Sequence, residues 1–349
     1  MSRHLDFCAS EKLTTRRVNT ARVSKSSAAP ARRERSSGTL AARRGSGILY
    51  FLTTPAESPV LPPPPPHSGP PPEVLAPGEM AARAPVVDVL GHRMAVHHPS
   101  RDRFITPSLV HAGCFEPFLT ELVANELRPG DTVLDLGAHI GYYTLLFARL
   151  VGPGGRVVAL EPDPDNFALL ERNVALNGYR NISAYNLAAA EGPGRRALYK
   201  SADNAGDHRL HAAEAGRSAV PVDAVAVDDL FRDRGNIGFV KMDVQGSEGS
   251  ALEGMAGLLA RSPRVKMMLE FWPFGLARAG YGALRLLDRL RALGFRVYEA
   301  DEADGSVRKT DPRRLLERYP ETRDVFTNLW CVKGSIGPAP TSPQTGCAS

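Results

Sequence analysis

The chain is poor in cysteine, and its cysteines are scattered. Its 349 residues include four, at positions 8, 114, 331 and 347, with no C-x-x-C pair and no spacing suited to zinc. This excludes a disulfide-rich secreted scaffold and favours a reduced, cytoplasmic protein. Long apolar runs are missing too. The longest near the N-terminus, residues 48–52, is too short for a membrane span or for the core of a signal peptide.

An excess of positive charge is missing from most of the chain. The formal net charge is +5, and residues 1–80 carry 11 Lys and Arg against 6 Asp and Glu, whereas the remainder carries 32 of each. The basicity therefore belongs to the N-terminal segment, and the remainder has no general attraction for polyanions. We expect no nucleic-acid partner and no membrane span; the oligomeric state is not readable from the sequence.

The two ends of the chain lack the apolar periodicity of a folded segment. Residues 1–54 are rich in Arg and Ser, and residues 55–85 hold 12 of the 29 prolines, a composition that favours an unfolded, polyproline-like chain. We expect a disordered extension over 1–85, a folded domain over 86–333 and a disordered tail over 334–349. The first fifty residues also resemble a transit peptide, and residues preceding a true start at Met80 are a further alternative.

Between these ends, strand and helix patterns alternate. Strands are predicted at 132–136, 156–160, 181–187, 237–240, 265–271, 295–298 and 325–332. Helices are predicted at 115–128, 141–151, 164–177, 247–260 and 281–293. This order predicts an α/β fold of the Rossmann-like type, a doubly wound and mostly parallel seven-stranded sheet. The long polar stretch 190–234 predicts a hairpin that carries a substrate-facing loop.

A glycine-containing loop follows the first of these strands. Residues 135–144 read DLGAHIGYYT, in which Gly137 and Gly141 allow the backbone to pass close to a ligand. The spacing differs from the G-x-G-x-x-G of dinucleotide enzymes, and Asp135 would repel a pyrophosphate but attract the ammonium and sulfonium of S-adenosylmethionine. Glu161, at the end of the next strand, is placed to accept both hydroxyls of a ribose. The sequence therefore favours S-adenosylmethionine as the cofactor.

Several motifs together resemble the FkbM family of methyltransferases. They are residues 135–144, Glu161-Pro162, NAGDHRL at 204–210, KMDVQGSE at 241–248 and LEF at 269–271, preceded by a similar entry region from Asp102 to Pro117. The resemblance covers about residues 100–333. It departs at His139, where asparagine is common, and at Gln245, where glutamate is common. It implies a class I methyltransferase that transfers a methyl group to oxygen, typically on sugars or other secondary metabolites.

The candidate site residues follow from this pattern. The cofactor is expected to contact the glycine loop, the second strand end and the methionine-binding end of the fourth strand. The residues predicted for it are Asp135, Gly137, Ala138, His139, Gly141, Tyr142, Glu161, Pro162, Asn186 and Asp243. Asn186 is the candidate for the adenine edge, and Tyr142 is equally typical of a core position.

Four residues are candidates for the chemistry itself. Asp243 is predicted to contact the methionine end of the cofactor or the acceptor, and His208 to act as general base, because imidazole titrates near neutral pH. Lys241 is predicted to orient Asp243, and Glu270 to bind the substrate; a mobile-loop position for His208 and a structural role for Glu270 are the alternatives. No second acidic pair lies near Asp243, so no metal site is expected.

The acceptor remains open at this level. We expect a hydroxyl of a small molecule or glycan. The alternatives are methylation of RNA or protein, and a non-catalytic module that binds S-adenosylmethionine. The neutral charge of residues 81–349 counts against RNA, and the presence of Asp135, Glu161 and Asp243 together counts against a module that has lost activity.

Overall fold

An eight-stranded sheet organises the part of the chain described by this computed structural model, which comprises residues 76–212, 216–232 and 235–334. The strand order is β12-β11-β13-β10-β9-β3-β4-β5, parallel from β10 to β5, with antiparallel pairing at β13 and β12. The strands are β3 (Thr132–Leu136), β4 (Arg156–Leu160), β5 (Ile182–Tyr185), β9 (Phe239–Met242), β10 (Val265–Phe271), β11 (Phe295–Asp301), β12 (Ser306–Lys309) and β13 (Thr327–Lys333).

Helices cover both faces of this sheet. Where a strand is followed by a helix and a parallel neighbour, the crossover places the helix on one face. The helices are α1 (Pro77–Arg83), α2 (Ile105–Ala112), α3 (Pro117–Glu126), α4 (Tyr142–Val151), α5 (Pro164–Asn177), α6 (Val227–Leu230), α7 (Glu248–Glu253), α8 (Ala256–Arg261), α9 (Pro273–Arg278), α10 (Ala283–Ala292) and α11 (Pro312–Arg318).

Alternating side chains of the central strands fill two separate cores. On β9, Phe239 packs with α3 and α4 residues, whereas Val240 and Met242 pack on the opposite face with residues of α7, α8 and α10. Strands buried on both faces read as continuous apolar runs, which is why the sequence pattern identifies them. The doubly wound fold predicted from the sequence is confirmed, and β12 adds one strand to the seven expected.

A small hairpin and three helices, α1 to α3, precede the first strand of the sheet. Strands β1 (Val86–Val89) and β2 (His92–Ala95) pair antiparallel, and the Arg172 side chain of α5 donates to the backbone carbonyls of Ala81 and Ala84 at the end of α1. Helix α1 begins at a proline in the favourable first-turn position. The predicted boundary at residue 86 is therefore too late, because α1 lies in the stretch assigned to the extension.

The predicted hairpin within 190–234 is present and longer than expected. Strands β7 (Gly194–Lys200) and β8 (Ser218–Val225) pair antiparallel, and the short β6 (Ala188–Ala189) joins β8 in parallel. The chain between β7 and β8 returns to contact β7, since Tyr199 and Arg209 exchange backbone hydrogen bonds of 2.8 and 3.1 Å. This connection brings residues 204–210 back to the sheet.

One predicted helix, 247–260, is divided into α7 and α8. A β-carbon on Gly254 would overlap the backbone carbonyl of Ala190, so the chain bends where it passes that strand end. Most of the predicted extension (1–85) and of the predicted tail (334–349) lies outside the described residues. The exceptions are residues 76–85 and residue 334. Within the described ranges no helix has both the length and the apolar character that crossing a bilayer requires.

Candidate active site

A cleft lies at the carboxyl ends of β3, β4 and β9. This is where doubly wound sheets bind ligands. The predicted site residues that line it are Gly137, Ala138, His139, Tyr142, Glu161, Pro162, His208, Lys241 and Asp243. Four predicted residues are not among its lining residues: Asp135, Gly141, Asn186 and Glu270.

The glycine loop is held by tight backbone packing. Gly137 has φ of +76°, and a β-carbon there would overlap the backbone carbonyl oxygen of Asp243. Gly141 has φ of +93°, and its β-carbon would lie 2.6 Å from the Leu170 side chain. Both positions therefore require glycine, for conformation and for space. The loop after β3 and the end of β9 are in this way fixed against each other.

The backbone amides of this loop are already bonded within the protein. Gly137 and Ala138 both donate to the carbonyl of Leu160 at 3.0 Å, and His139 donates to Glu161 Oε2 at 2.8 Å. These hydrogen bonds fix the end of β4, and with it the carboxylate of Glu161.

Glu161 is buried yet lines the cleft. Its Oε1 accepts from the amide of Asp163 at 2.9 Å, and burial, followed by the charge of Asp163, raises its pKa to about 7. Asn186, predicted at the adenine edge, is exposed, and its side-chain amide donates to the carbonyls of Glu161 and Pro162 at 2.9 and 3.0 Å. Asn186 thus supports the loop that carries Glu161 rather than lining the cleft.

Asp135 lies beneath the glycine loop instead of in the cleft wall. Strand alternation turns its side chain toward α4, where Oδ2 accepts from the Thr144 hydroxyl at 2.5 Å and Oδ1 is buried without a partner among the described residues. Burial raises its pKa. The prediction that Asp135 faces the cofactor directly is not supported by this placement, and its charge acts from below the loop.

Lys241 is paired in register with Asp135 and is the buried cation of this region. Its Nζ donates to the carbonyl of Gly137 at 3.0 Å and lies 3.4 Å from Asp243 Oδ2. Burial alone would lower its pKa, but Asp243, Asp135 and Glu116 raise the pKa above the usual value. Lys241 therefore stays protonated and offsets one of the surrounding carboxylates.

Asp243, Gln245 and Glu270 are connected by hydrogen bonds. Gln245 Nε2 lies 2.8 Å from Asp243 Oδ1 and 3.1 Å from each oxygen of Glu270. Burial, followed by the charges of Asp243 and Glu248, raises the pKa of Glu270 well above its usual value. Glu270 thus reaches the cleft through Gln245, whose φ of +51° is unusual for a residue other than glycine.

Glu116 joins the same cluster and is not among the residues predicted from the sequence. Its Oε2 accepts from the Tyr143 hydroxyl at 2.8 Å, and burial, followed by the charge of Asp243, raises its pKa to about 7. We call Glu116, Lys241, Asp243, Gln245 and Glu270 the acidic cluster. Its one visible signal in the sequence is the position of Glu116 immediately before Pro117, where a helix begins.

His208 lies in the cleft wall beside different partners. Its Nδ1 accepts from the Ser201 amide at 3.2 Å, and its Nε2 lies 3.9 Å from Asp163 Oδ2, which also pairs with Lys200 at 2.6 Å. Burial lowers the pKa of His208 to about 4. Because the backbone amide of Asp163 donates to Glu161, His208 belongs to the Glu161 side of the cleft.

Two further histidines lie under this side of the cleft. His97 Nε2 is 2.7 Å from Asn166 Oδ1, and the His139 ring packs 5.6 Å from the ring of His97. His139 Nε2 is buried without a partner among the described residues, and burial, followed by His97, lowers its pKa to about 3. His139 is therefore neutral and available to donate or accept one hydrogen bond.

Apolar residues of the cleft come mostly from outside the glycine loop, and several lie in the entry region and in the 204–210 motif that the family resemblance includes. They lie at the start of α2, just before α3, on β6 and β7, and in the returning loop: Ile105, Phe115, Ala188, Ala189, Leu198, Ala205 and Leu210. Tyr142, predicted at the site, is mostly buried, and its hydroxyl meets Thr120 at 2.9 Å. Among the described residues, no group of three or more His, Cys, Asp or Glu is arranged to hold a metal ion.

Comparison with known proteins agrees with the geometry. The profile of the Methyltransferase FkbM domain matches residues 135–297. The chain is 29% identical over 174 residues to the 31-O-demethyl-FK506 methyltransferase FkbM of Streptomyces tacrolimicus, covering 41% of this chain and 66% of that protein. It is 28% identical over 169 residues to a protein-L-isoaspartate O-methyltransferase of Caenorhabditis elegans, covering 44% and 69%.

The matched segments span about two thirds of these relatives. Among solved structures, a SAM dependent methyltransferase from Aquifex aeolicus superposes with a TM-score of 0.38 at 15% identity, covering 68% of this chain and 100% of that one.

Proposed function

Residues 135–297 belong to the FkbM family of methyltransferases, and on this premise we propose that the protein methylates a hydroxyl group of an uncharged small molecule or glycan. Methyltransferase activity and the use of S-adenosylmethionine follow from the family. The nature of the acceptor is our proposal. The observation that carries it is the acidic cluster at the end of β9.

The residues of the cleft fit S-adenosylmethionine. Glu161 offers a buried carboxylate for a ribose diol, Leu160 and Ala189 offer apolar surface, and the acidic cluster suits a cationic group. The orphaned Nε2 of His139 is a further donor or acceptor aimed at no protein group among the described residues. When bound, S-adenosylmethionine supplies an activated methyl group whose bonding electron pair leaves with sulfur.

The electrostatics of the acidic cluster favour a neutral acceptor over a carboxylate. Its own acids already resist ionisation, since the pKa of Glu116 is raised to about 7 and that of Glu270 well above its usual value. An acceptor carboxylate here would face the same repulsion, on the order of 4 kcal/mol per unit charge at 4 Å. Lys241 compensates one negative charge and is already engaged with Asp243.

A hydroxyl acceptor matches the donors and acceptors present. Asp243, which is 36% exposed, is proposed to accept a hydrogen bond from the acceptor hydroxyl, while Lys241 holds Asp243 in place. Glu270 is proposed to bind a neighbouring polar group through Gln245. Such positioning supplies much of the rate of a displacement reaction, about 7–11 kcal/mol in favourable cases.

The test is transfer of labelled methyl groups in an extract of the source cells. The full-length protein and its Asp243→Ala variant would be incubated with methyl-labelled S-adenosylmethionine, and small-molecule, glycan, protein and nucleic-acid fractions would be separated. We expect label in the small-molecule or glycan fraction with the wild type alone. Label in protein or RNA, or equal labelling by a folded Asp243→Ala variant, would overturn the proposal.

A further inference from the structure

We propose that Glu116 is the general base that takes the proton from the acceptor hydroxyl, an inference that rests on the proposed function. Glu116 precedes α3 with φ of +45°, a conformation that costs a residue other than glycine about 1–2 kcal/mol. Strain of this kind persists where surrounding contacts impose it, and it gathers at functional sites.

One oxygen of Glu116 is oriented by a neighbouring side chain. Oε2 accepts from the Tyr143 hydroxyl at 2.8 Å. Glu116 is not itself among the lining residues of the cleft, but its chain neighbour Phe115 and its hydrogen-bond partner Tyr143 are. The Tyr143 hydroxyl therefore orients the carboxylate, and Oε1 is the oxygen proposed to take the proton.

The charges facing Glu116 come from three other elements. Tyr143 lies on α4, Lys241 and Asp243 lie at the end of β9, and Glu302 lies in the turn after β11. Burial and Asp243 raise the pKa of Glu116 to about 7, against the lowering effects of Tyr143 and Lys241. A base is most effective when its pKa lies near the working pH, which Glu116 satisfies.

His208, the base expected from the sequence, meets this condition less well. Its pKa is lowered to about 4, its Nδ1 is occupied by the Ser201 amide, and its neighbours are Asp163 and Lys200. Glu116, in contrast, is under the influence of the charges of Asp243 and Lys241, the residues at the proposed acceptor position. The geometry thus separates a Glu161 side of the cleft from the acceptor side.

The proposed step is balanced within the site. The acceptor oxygen forms a bond to the methyl carbon as the methyl–sulfur bond breaks, the electron pair of that bond remains on sulfur, and the hydroxyl proton passes to Glu116 Oε1. Glu116 then returns the proton to solvent. No oxidant, reductant or metal enters this balance.

The experiment is a pH profile of kcat/KM for the acceptor, at saturating S-adenosylmethionine, with the full chain. The wild type should gain activity as pH rises through about 7, because ionised Glu116 is the active form. Glu116→Gln should lose this acidic limb and about 10²–10⁴-fold in kcat. Glu121→Gln, an exposed glutamate on the same helix, should behave as the wild type.

Three further measurements keep the outcomes distinct. Binding of S-adenosylhomocysteine to Glu116→Gln, measured by calorimetry, should match the wild type and so report an intact fold. Tyr143→Phe should move the limb to higher pH, since it removes the donor that favours ionised Glu116, and this keeps the idea testable if Glu116→Gln does not fold. His208→Gln should keep the limb.

The contrary results are equally defined. A limb that survives in Glu116→Gln, or that disappears in His208→Gln, overturns the assignment of Glu116 while leaving the methyl transfer established. If the wild type transfers no methyl group to any hydroxyl, the proposed function itself fails.

Discussion

Single glycines decide the geometry of the cleft. Gly137 and Gly130 both have positive φ, +76° and +93°, but a β-carbon at Gly130 meets no atom within 4 Å, whereas one at Gly137 overlaps the Asp243 carbonyl. The two positions therefore separate conformational strain from steric overlap. This pair makes a matched test of why the loop after β3 needs glycine.

We expect Gly130→Ala to cost about 1–2 kcal/mol of unfolding free energy, from backbone strain alone. Gly137→Ala should cost about 3 kcal/mol or more, because overpacking adds to that strain, and should also weaken cofactor binding. Urea unfolding and calorimetric binding would measure both. Equal losses in the two variants would mean that the close approach to Asp243 does not matter.

The site residues differ in how far the sequence identifies them. Asp135, Glu161 and Asp243 end consecutive parallel strands, so local pattern and topology together predict their neighbourhood. Glu116 lies 127 positions before Asp243 and belongs to no strand-end motif. Its membership of the acidic cluster depends on how α3 packs on α4, which periodicity does not specify.

At the scale of elements, the returning loop between β7 and β8 depends on one carboxylate. Asp207 accepts two hydrogen bonds from Arg209, at 2.5 and 3.0 Å, and pairs with Arg217 at the start of the hairpin's return. The same loop carries Gly206, His208 and Leu210 into the cleft wall. We therefore expect the order of this loop to affect the shape of the cleft more than it affects the stability of the sheet.

We expect Asp207→Ala to speed hydrogen exchange at the Tyr199 and Arg209 amides by about tenfold or more, since charged hydrogen bonds contribute about 1.5–3 kcal/mol each. Cofactor affinity should fall while exchange in β9 stays unchanged. Asp223→Ala, whose partner Arg195 is an exposed residue of the same hairpin, is the control. Uniform exchange across both regions would show that the loop is not an independent unit.

The sequence predicts the central elements well and the peripheral ones poorly. Strands such as β3, β4 and β10 are buried on both faces and read as apolar runs. The division of helix 247–260 at Gly254 follows from a contact with Ala190, 64 positions earlier, and has no local signal. Helix α1 was likewise masked by the proline-rich composition around it.

At the scale of the whole molecule, the net charge says little about the ligand, whereas the local charge around the cleft does. Residues 81–349 carry equal numbers of acidic and basic side chains, yet the cleft concentrates carboxylates around a buried Lys241. Glu116, near Lys241, and Glu161, on the other side of the cleft, both have their pKa raised to about 7. The ionisation state of these two carboxylates therefore changes around neutral pH.

A consequence is a pH-dependent preference for a cationic ligand. Raised pKa values mean that Glu116 and Glu161 become charged as pH rises from 6 to 8, so S-adenosylmethionine should gain affinity relative to the uncharged thioether S-adenosylhomocysteine. We expect the ratio of the two affinities to rise on the order of tenfold. This is a smaller effect than the full attraction between two unit charges at an effective dielectric of about 20. Calorimetry at three pH values would measure it, and Glu116→Gln should flatten the change; a constant ratio in the wild type would contradict it.

The central claim is that the acceptor is a hydroxyl rather than a carboxylate, and the chemical stability of the product tests it most directly. Product labelled from methyl-labelled S-adenosylmethionine would be treated with mild base and assayed for volatile methanol. An ether should keep all of its label, as the acidic cluster predicts. Release of labelled methanol would identify a methyl ester and contradict the account.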